Sequence, residues 1–573
     1  MKLGKGLRSA AAMVLSAATL LAMGALGVGT ANATEVDLSG ANSKGQITIT
    51  KGASHTFEMV KLSSYTYAET DSGTNLSVVS VDTAADPVLT AVQKAVKKAN
   101  GDVTPTTGYE STNPMEYVAK TWSDSSSSPY TGTIRTFVKT LAADTSLTYG
   151  SVGTAAASGD DLVITDMPVG IYLLRDTTAT AGVSKSVPIL VGTTVGGTSY
   201  ITLGGTTKPL GKVDLKAETP TLTKEATKLT SGGTDTTLTG SNRETELKKA
   251  KIGDTVEFTL SSKVPVTAGM DSYTFTMTDT PTKGMVYVPG SAALTVTDGI
   301  GAIGDVDVTE PSPSAPGTAV TFAFKGAEFV KQDKFPTGKA IKLTYKVTLT
   351  AVSGDTWQSQ HNAAKLTYST DPSTPATTSD VNADATTKIA LYSVTLTNVD
   401  GQGTAIANDG AFKVYAGTSS SGTQLKFKAN GTTAYTYDET GTDAAITTNG
   451  DGKLVFDGLP SGDYYIQQTG SSNNYTKSSF VVHIAYNLDG TASVTAFTND
   501  PDTIGLVGRN SITQDSPNGY NGKITVKNTN SLAGLPLTGG VGVALVVLLA
   551  IISGGVAVVT SKMRRKNLAN ARM

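Results

Sequence analysis

The chain has 573 residues with 46 Lys plus Arg, 48 Asp plus Glu, no Cys and a formal net charge of −2. At about 150 residues per domain, this length predicts three to four domains. The absence of Cys excludes disulfides, thiolate metal sites and a cysteine nucleophile. His55, His361 and His483 lie far apart without paired-ligand spacing, so the sequence predicts no metal site and no cofactor. No long basic run precedes the C-terminal tail, and nothing favours nucleic-acid binding.

The first residues are typical of a secretory signal peptide. Lys2, Lys5 and Arg8 precede an apolar run over residues 10–28, and residues 31–33 are Ala-Asn-Ala. A basic start, an apolar segment and small residues at the end are the three features that secretion and cleavage require. We expect cleavage after Ala33, so that residues 1–33 are a signal peptide outside the mature fold.

The middle of the chain is predicted to be all-β. Short runs rich in Val, Thr, Ile and Tyr, such as residues 342–350 and 411–415, are separated by Gly, Asp, Asn and Pro. Alternation with a period of two and frequent turn residues are typical of antiparallel sandwiches. Pro- and Thr-containing segments near 212–223 and 371–387 are the predicted boundaries. They define module one (34–216), module two (217–387) and module three (388–530).

One short helix is predicted within module one. Asp86 can cap its start, Pro87 suits its first turn, and Asn100 with Gly101 can end it. Apolar residues recur at helical spacing, at Val88, Leu89, Val92, Ala95 and Val96. Three lysines fall on the other face, at Lys94, Lys97 and Lys98. We expect the apolar face to pack on the first sandwich and the lysines to be solvated.

Module two contains three segments that carry a family resemblance. Residues 221–225 are Thr-Leu-Thr-Lys-Glu, residues 275–287 run from Phe275 through Asp279 to Tyr287, and residues 362–368 are Asn-Ala-Ala-Lys-Leu-Thr-Tyr. In this order they resemble the isopeptide-forming second domain of sortase-assembled major pilins of Gram-positive fimbriae. The resemblance implies three tandem sandwiches of the immunoglobulin-like or collagen-adhesin B type.

The resemblance also implies a covalent bond between two side chains of module two. In the family a lysine of the first strand attacks an asparagine of the last strand, and a buried carboxyl group assists. The matching residues are Lys224 as nucleophile, Asn362 as electrophile and Asp279 as acid. Burial would supply a neutral amine and a protonated carboxyl group, because a low dielectric disfavours both charged forms. The alternative is that these are three ordinary polar residues at strand ends.

Module three resembles the collagen-adhesin B-type domain of the same proteins, with two departures. The family's lysine is replaced by Asn398 and its glutamate by Gln468, whereas Asn528 stands where the family has its asparagine. Asn398 has no nucleophilic amine and Gln468 has no acidic proton. We therefore predict that module three forms no such bond, and that Asn398 and Gln468 hydrogen-bond each other or Asn528. Lys388 is the nearby amine that would contradict this prediction.

The resemblance further implies an acceptor lysine near the end of module one. The family's acceptor lies in a Val-x-Val-Tyr-Pro-Lys-Asn segment, and residues 213–216, Val-Asp-Leu-Lys, are the best counterpart, without the Tyr-Pro and the Asn. Lys216 is the predicted acceptor, with Lys208 and Lys212 as rivals. We expect its side chain to be exposed, because a sortase must reach the amine.

Residues 531–573 resemble a cell-wall sorting signal. Residues 535–539 are Leu535, Pro536, Leu537, Thr538 and Gly539. An apolar stretch follows over residues 541–561, and a basic cluster over residues 562–566. Twenty-one residues of helix at about 1.5 Å each span a hydrocarbon core of about 30 Å, and the basic cluster would stay cytoplasmic. The resemblance implies that a sortase attacks the carbonyl of Thr538 and releases everything from Gly539 onward.

These features together predict a major structural subunit of a covalently polymerised pilus that mediates adhesion. Expected partners are a class C (pilin) sortase, a housekeeping sortase, other copies of the chain, a minor tip pilin, peptidoglycan and an unidentified host or matrix ligand. The expected location is the cell wall, after secretion, and no enzymatic turnover is expected. One alternative is a monomeric wall-anchored adhesin or a minor tip or base pilin. A second is a surface glycosidase, which the two Trp residues argue against because sugar-binding clefts use aromatic stacking.

Overall fold

A computed structural model describes residues 34–35, 38, 40–71, 75–122, 132–195, 200–203, 206–267, 269–311, 317–350, 362–384, 389, 391–431, 434–443, 445–470, 477–486, 492–497, 507–508 and 521–528. The predicted signal peptide, Lys388 and the whole sorting signal, with its apolar stretch, lie outside these residues. Within them, no helix has the length and apolar character needed to cross a membrane.

Module one is built from two sheets and three helices. Its strands are β1 (Thr34–Glu35), β2 (Lys44–Thr50), β3 (Phe57–Asp71), β4 (Asn75–Thr83), β5 (Thr154–Ser158), β6 (Asp161–Pro168), β7 (Gly170–Asp176), β8 (Ile189–Gly192), β9 (Tyr200–Leu203), β10 (Thr206–Pro209) and β11 (Lys212–Asp214). One sheet has the order β10-β9-β4-β3-β7-β8 with β1 beside β3, and the other is β11-β2-β6-β5. The last strand, β11, pairs with β2 in parallel.

The helix predicted in module one is present, and the structure has two more that were not predicted, three in the described residues. They are α1 (Val88–Ala99), α2 (Pro114–Thr121) and α3 (Thr133–Ala142). The α1 helix confirms the predicted start, since Asp86 Oδ1 accepts the backbone N–H of Thr90 at 3.1 Å. Its buried face includes Ala91, whereas Leu89 is only half-buried.

Module two is a sandwich of a six-stranded and a five-stranded sheet. Its strands are β12 (Thr223–Ser231), β13 (Thr234–Thr237), β14 (Thr255–Lys263), β15 (Phe275–Pro281), β16 (Met285–Tyr287), β17 (Ala293–Val296), β18 (Val306–Thr309), β19 (Val320–Phe324), β20 (Ala340–Leu349), β21 (Asn362–Ser369) and β22 (Thr378–Asp384). Two short helices, α4 (Arg243–Leu247) and α5 (Gly326–Phe329), lie in the connections. The sheets are β13-β12-β14-β20-β16, with β17 beside β20, and β18-β19-β15-β21-β22. The first and last strands of module two therefore belong to different sheets.

Module three is a second sandwich of six and five strands. Its strands are β23 (Tyr392–Val399), β24 (Ala411–Ala416), β25 (Phe427–Asn430), β26 (Ala434–Tyr437), β27 (Ile446–Thr447), β28 (Lys453–Leu459), β29 (Gly462–Gly470), β30 (Ser479–Tyr486), β31 (Ala492–Phe497), β32 (Val507–Gly508) and β33 (Asn521–Lys527). The sheets are β25-β26-β28-β23-β33-β32 and β27-β24-β29-β30-β31. Here the first strand, β23, pairs in parallel with the last, β33.

The all-β class predicted from the sequence is confirmed. Alternating residues of β14 and β20 are buried, as the period-two pattern predicts for a sheet with one face in the core. Modules two and three each bury one hydrophobic cluster, and module one buries two. The core of module two is rich in aromatic rings, among them Phe258, Phe322 and Tyr345. This core is the setting of the candidate site.

Candidate functional site

The structure brings together the three residues predicted to react in module two. Lys224 is the second residue of β12, in one sheet of the sandwich. Asp279 on β15 and Asn362 at the start of β21 lie on neighbouring antiparallel strands of the other sheet. The three residues are 3%, 0% and 1% exposed. They therefore meet in the core between the sheets, where an unreacted polar group is costly to bury.

Lys224 and Asp279 form a fully buried ion pair. Lys224 Nζ contacts Asp279 Oδ1, and neither side chain has any exposed surface. Burial raises the pKa of Asp279, although Lys224, Tyr345 and Asn362 each act to lower it. All three side chains consequently lie close to this carboxyl group, and desolvation outweighs their combined effect.

Two aromatic rings surround the lysine head group. Lys224 Nζ lies 4.9 Å from the ring centroid of Phe258 and 5.7 Å from that of Tyr345. Burial raises the pKa of Tyr345 well above its ordinary value, and the nearby Asp279 raises it further. Its hydroxyl group therefore stays protonated. The rings keep water from the amine and lower the local dielectric around it.

Asn362 is held by one hydrogen bond and has an unused carbonyl oxygen. Its Nδ2 donates to Tyr345 Oη at 3.2 Å. Neither Asn362 Oδ1 nor Asp279 Oδ2 has a hydrogen-bond partner among the described residues. A buried acceptor without a donor costs about 1–3 kcal/mol. Tyr345 was not singled out from the sequence, where it is one of several alternating residues of β20 and carries no distinguishing signal.

The arrangement can generate a nucleophile and an acid in one proton transfer. An ammonium beside a carboxylate and an amine beside a carboxylic acid hold the same number of protons. A low dielectric favours the neutral pair because neither group is then a buried charge. Transfer of one proton from Lys224 Nζ to Asp279 thus leaves an amine lone pair and an acidic hydrogen-bond donor next to Asn362.

The corresponding position of module three holds amides instead. Asn528 Nδ2 donates to Asn398 Oδ1, and both side chains are buried. Gln468 on β29, also buried, accepts the backbone N–H of Ser478 at 3.2 Å through Oε1. The predicted hydrogen bond between Asn398 and Asn528 is present, but the predicted bond from Gln468 to either of them is not, and Gln468 Nε2 and Asn528 Oδ1 have no partner among the described residues. Lys388, the amine that would contradict the absence of a cross-link, lies outside the described residues.

The expectation that Lys216 is exposed is wrong. The residue is only 5% exposed, and its backbone N–H donates to Ser186 Oγ at 3.3 Å. Ser186 comes from a segment 30 residues earlier in the chain, a contact that the local sequence around Lys216 does not reveal. Lys212 on β11 is exposed. The side chain of Lys208 and residues 535–539, including Thr538, lie outside the residues whose placement is described.

The histidines do not build a metal site in the described part of the chain. His55 Nδ1 lies 2.8 Å from Asp176 Oδ2, and His483 Nδ1 lies 2.6 Å from Asp463 Oδ1. Among the described residues, no group of three or more His, Asp or Glu side chains is placed to hold a metal ion. His361 is outside them.

Comparison with protein-family models gives one match. Residues 383–500 match the SpaA family, a prealbumin-like fold domain. These residues fall almost wholly within module three. A search of curated protein sequences gave no match.

Several solved structures are similar to about two thirds or more of the chain at low identity. The T6 backbone pilin of serotype M6 Streptococcus pyogenes is 14% identical over 82% of each chain, with a TM-score of 0.42. The full-length major pilin SpaD of Corynebacterium diphtheriae is 17% identical over 68% of this chain and 83% of its own, with a TM-score of 0.37. BcpA, the major pilin subunit of Bacillus cereus, is 15% identical over 65% and 89%, with a TM-score of 0.33.

These TM-scores are below 0.5, so the fold assignment rests on the strands and sheets described above. Residues 383–500 are thus similar to the SpaA prealbumin-like fold domain, and solved structures of Gram-positive major pilins are among those similar to this chain.

Proposed function

We propose that this chain is the major structural subunit of a covalently polymerised, wall-anchored pilus. The observation that carries the proposal is the buried cluster of Lys224, Asp279 and Asn362 between the two sheets of module two. A buried lysine, acid and asparagine have little value for stability while unreacted, because desolvation offsets their attraction. Their burial is explained if the lysine and the asparagine react to form one amide.

The proposed reaction conserves every atom. The lone pair of Lys224 Nζ attacks Cγ of Asn362 while protonated Asp279 donates a hydrogen bond to Oδ1, which carries the developing negative charge. One proton moves from Nζ to Nδ2 by way of the Asp279 carboxyl group. The bond between Cγ and Nδ2 then breaks, and ammonia leaves. The product is an amide between Lys224 and Asn362, and Asp279 ends with the proton that it had at the start.

Polymerisation uses a second amide, made between subunits. A class C sortase would cleave after Thr538 and hold its carbonyl as a thioester, which the amine of Lys216 in the next copy resolves. A housekeeping sortase would join the last subunit to peptidoglycan. The subunit is then a structural component with a single self-reaction, at the cell surface, beneath a minor tip pilin and in contact with an unidentified host or matrix ligand.

Intact mass measurement of the secreted fragment 34–538 tests the internal bond. We expect a mass lower by one ammonia than the sum of the residues, with a branched peptide joining Lys224 to Asn362. The variant Asp279→Asn keeps the size of the side chain and removes its acidic proton, so we expect it to retain the full mass. A full mass for the unaltered fragment would contradict the proposal.

A second candidate function is a monomeric wall-anchored adhesin or a minor pilin, and the burial of Lys216 favours it. Such a protein needs no acceptor amine. Cells carrying the major subunit should give a ladder of very large species on a denaturing gel. We expect Lys216→Arg to abolish the ladder and Lys212→Arg, four residues away, to leave it intact. Single copies in unaltered cells would favour the second candidate.

A further inference from the structure

A large cleft lies between module one and module two. Its volume is about 1030 Å³, at the upper end of the about 300–1,000 Å³ of ordinary small-molecule pockets. One wall comes from α1, α3 and the residues beside them in module one, and the other from residues 269–271 and 330–333 of module two. We call this space the boundary cleft. Clefts between domains are common places for a ligand to bind.

The two walls of the boundary cleft differ in charge. The wall of module one has five cationic side chains and one carboxylate, whereas that of module two has one cation and two carboxylates. The cations are Lys94, Lys97, Lys98, Arg135, Lys139 and Lys331, and the carboxylates are Asp102, Asp271 and Asp333. The three lysines of α1 share one face of the helix, because they are three and four residues apart. The lining is therefore net positive, in a chain whose formal charge is −2.

The lysines of α1 remain available to a ligand. Lys94 pairs with Asp144 and Lys98 with Asp102, each at 3.0 Å, and both lysine side chains are more than half exposed. An exposed ion pair contributes only about 0–1 kcal/mol, so a carboxylate of a ligand can replace either partner at little cost. Lys97 is also exposed, and no ion pair among the described residues includes it.

Apolar side chains accompany the charged groups. Met270 and Val330 line the cleft and are only partly buried against the core of module two. Among the described residues, the large apolar side chains that are mostly exposed are Val103, at 62%, and Ile300, at 71%. Val103 directly follows a carboxylate of the lining, and Ile300 donates its backbone N–H to the carbonyl of Asp333 at 3.1 Å. A ligand that covers these side chains gains about 25 cal/mol for each Å² of apolar surface removed from water.

The cleft continues beyond Lys139. A second cavity, of about 550 Å³, shares Arg135, Lys139, Met270 and Asp271 with the first. Lys139 and Asp271 form an exposed ion pair that joins the two modules. The two cavities are thus parts of one elongated space, which suits an extended chain better than a compact small molecule.

We propose that the boundary cleft binds an extended acidic peptide segment of a partner protein, with carboxylates toward α1 and apolar side chains against Met270 and Val330. A densely sulfated polysaccharide fits less well, because the three carboxylates of the cleft would repel it and it has no apolar side chains to cover the apolar surface. Binding here needs neither the internal amide nor polymerisation, and therefore does not rest on the proposed function.

Selection from a phage library of random twelve-residue peptides on immobilised fragment 34–538 tests the class of ligand. We expect the selected peptides to be enriched in Asp and Glu beside apolar residues. The double variant Lys94→Glu and Lys97→Glu should lose this enrichment. The matched control, Lys453→Glu and Lys527→Glu, makes the same change of charge at two exposed lysines of module three and should keep it. No acidic enrichment on the unaltered fragment, or equal enrichment on the double variant, would overturn the proposal.

Fluorescence polarisation with the most enriched peptide measures the size of the effect. We expect the double variant of α1 to bind at least about tenfold more weakly, which corresponds to about 1.4 kcal/mol. The same peptide with Gln and Asn in place of its acids should lose at least as much. Met270→Gln keeps the length of the side chain and should weaken binding about threefold. An unchanged affinity in that variant would show that the apolar part of the proposal is wrong.

Two further measurements locate the peptide and exclude a polysaccharide. Acetylation of Lys97 in the unaltered fragment should slow when the peptide is bound, with Lys453 unchanged, and an unprotected Lys97 would contradict binding in this cleft even if a variant failed to fold. Far-ultraviolet circular dichroism shows whether each variant is folded. Binding of a heparin fragment that depends on Lys94 and Lys97 and is tighter than that of any selected peptide would assign the cleft to a sulfated polysaccharide and overturn the proposal.

Discussion

Modules two and three each bury a cluster of polar side chains. The cluster of module two contains ionisable groups, whereas that of module three contains only amides. In module two an ion pair between Lys224 and Asp279 lies beside Asn362. In module three Asn398 and Asn528 hydrogen-bond each other, and Gln468 is buried in the facing sheet. The three amides carry no charge, although Gln468 Nε2 and Asn528 Oδ1 have no hydrogen-bond partner among the described residues. An amine and a carboxyl group in the same setting are costly unless they react or exchange a proton.

The two clusters also differ in what a bond would join. Lys224 and Asn362 lie on opposite sheets of their sandwich, so an amide between them would connect the sheets. Asn398 and Asn528 lie on or next to neighbouring strands of one sheet, since β23 pairs with β33. A bond at the second position would only reinforce an existing strand pair. The proposed amide of module two would therefore join two strands that no ladder of hydrogen bonds connects.

Removal of the amine of module two should have the largest effect. We expect Lys224→Met to retain the full mass and to lower the free energy of unfolding of module two. The loss is on the order of 5 kcal/mol, from the entropy of a closed loop between residues 224 and 362. Denaturant titration followed by limited proteolysis measures this loss. The control Lys342→Met replaces an exposed lysine of the same sheet, and equal stability of the two variants would contradict the cross-link.

Restoring ionisable groups in module three should produce a bond there. We expect the double variant Asn398→Lys and Gln468→Glu to lose one additional ammonia by reaction with Asn528. A net gain of about 3 kcal/mol is expected, because closing the loop gives about 5 and the extra side-chain volume costs about 2. Intact mass and denaturant titration measure both results. Asn398→Lys alone lacks the acid and should keep its full mass; a bond in that single variant would show that the acid is dispensable.

Tyr345→Phe should have the smallest effect. It shows whether Tyr345 only positions Asn362 or takes part in the reaction. The change removes the acceptor of the 3.2 Å hydrogen bond from Asn362 and keeps the ring beside Lys224. We expect the bond still to form, more slowly, with a stability change of about 1 kcal/mol. The rate of ammonia loss during refolding measures the effect. Tyr287→Phe, which loses a 3.2 Å hydrogen bond to Glu310, the residue after β18, is the control. Complete loss of the bond would make Tyr345 part of the reaction.

The sequence predicted much of the cluster in module two and less of its surroundings. Lys224, Asp279 and Asn362 were identified because each lies in a recognisable segment. Strand pairing brings Asp279 next to Asn362, and packing of the two sheets brings Lys224 to them. Tyr345 had no such signal. The burial of Lys216 was not predictable either, because burial depends on tertiary contacts such as the one with Ser186, 30 residues earlier in the chain.

The two missed helices show where local patterns did contain information. The α2 helix begins at Pro114, a residue suited to the first turn of a helix. The buried residues of α3 are Ile134, Phe137, Val138 and Leu141, at the spacing of one helix face. This spacing is sufficient to predict α3. The helix was not predicted because strand-like patterns dominate the rest of the chain.

The parallel pairing of β23 with β33 has a mechanical consequence for a pilus under load. If subunits are joined through Lys216 and Thr538, force enters module three near Tyr392 and leaves near Lys527. Pulling these ends apart loads all seven registered residue pairs in shear at once, so they resist together. In module two an amide would carry force directly from β12 to β21 and shield the strands between. Module one precedes Lys216 and would therefore lie outside the path of the force. Its exposed surface could change in sequence without weakening the connection between subunits.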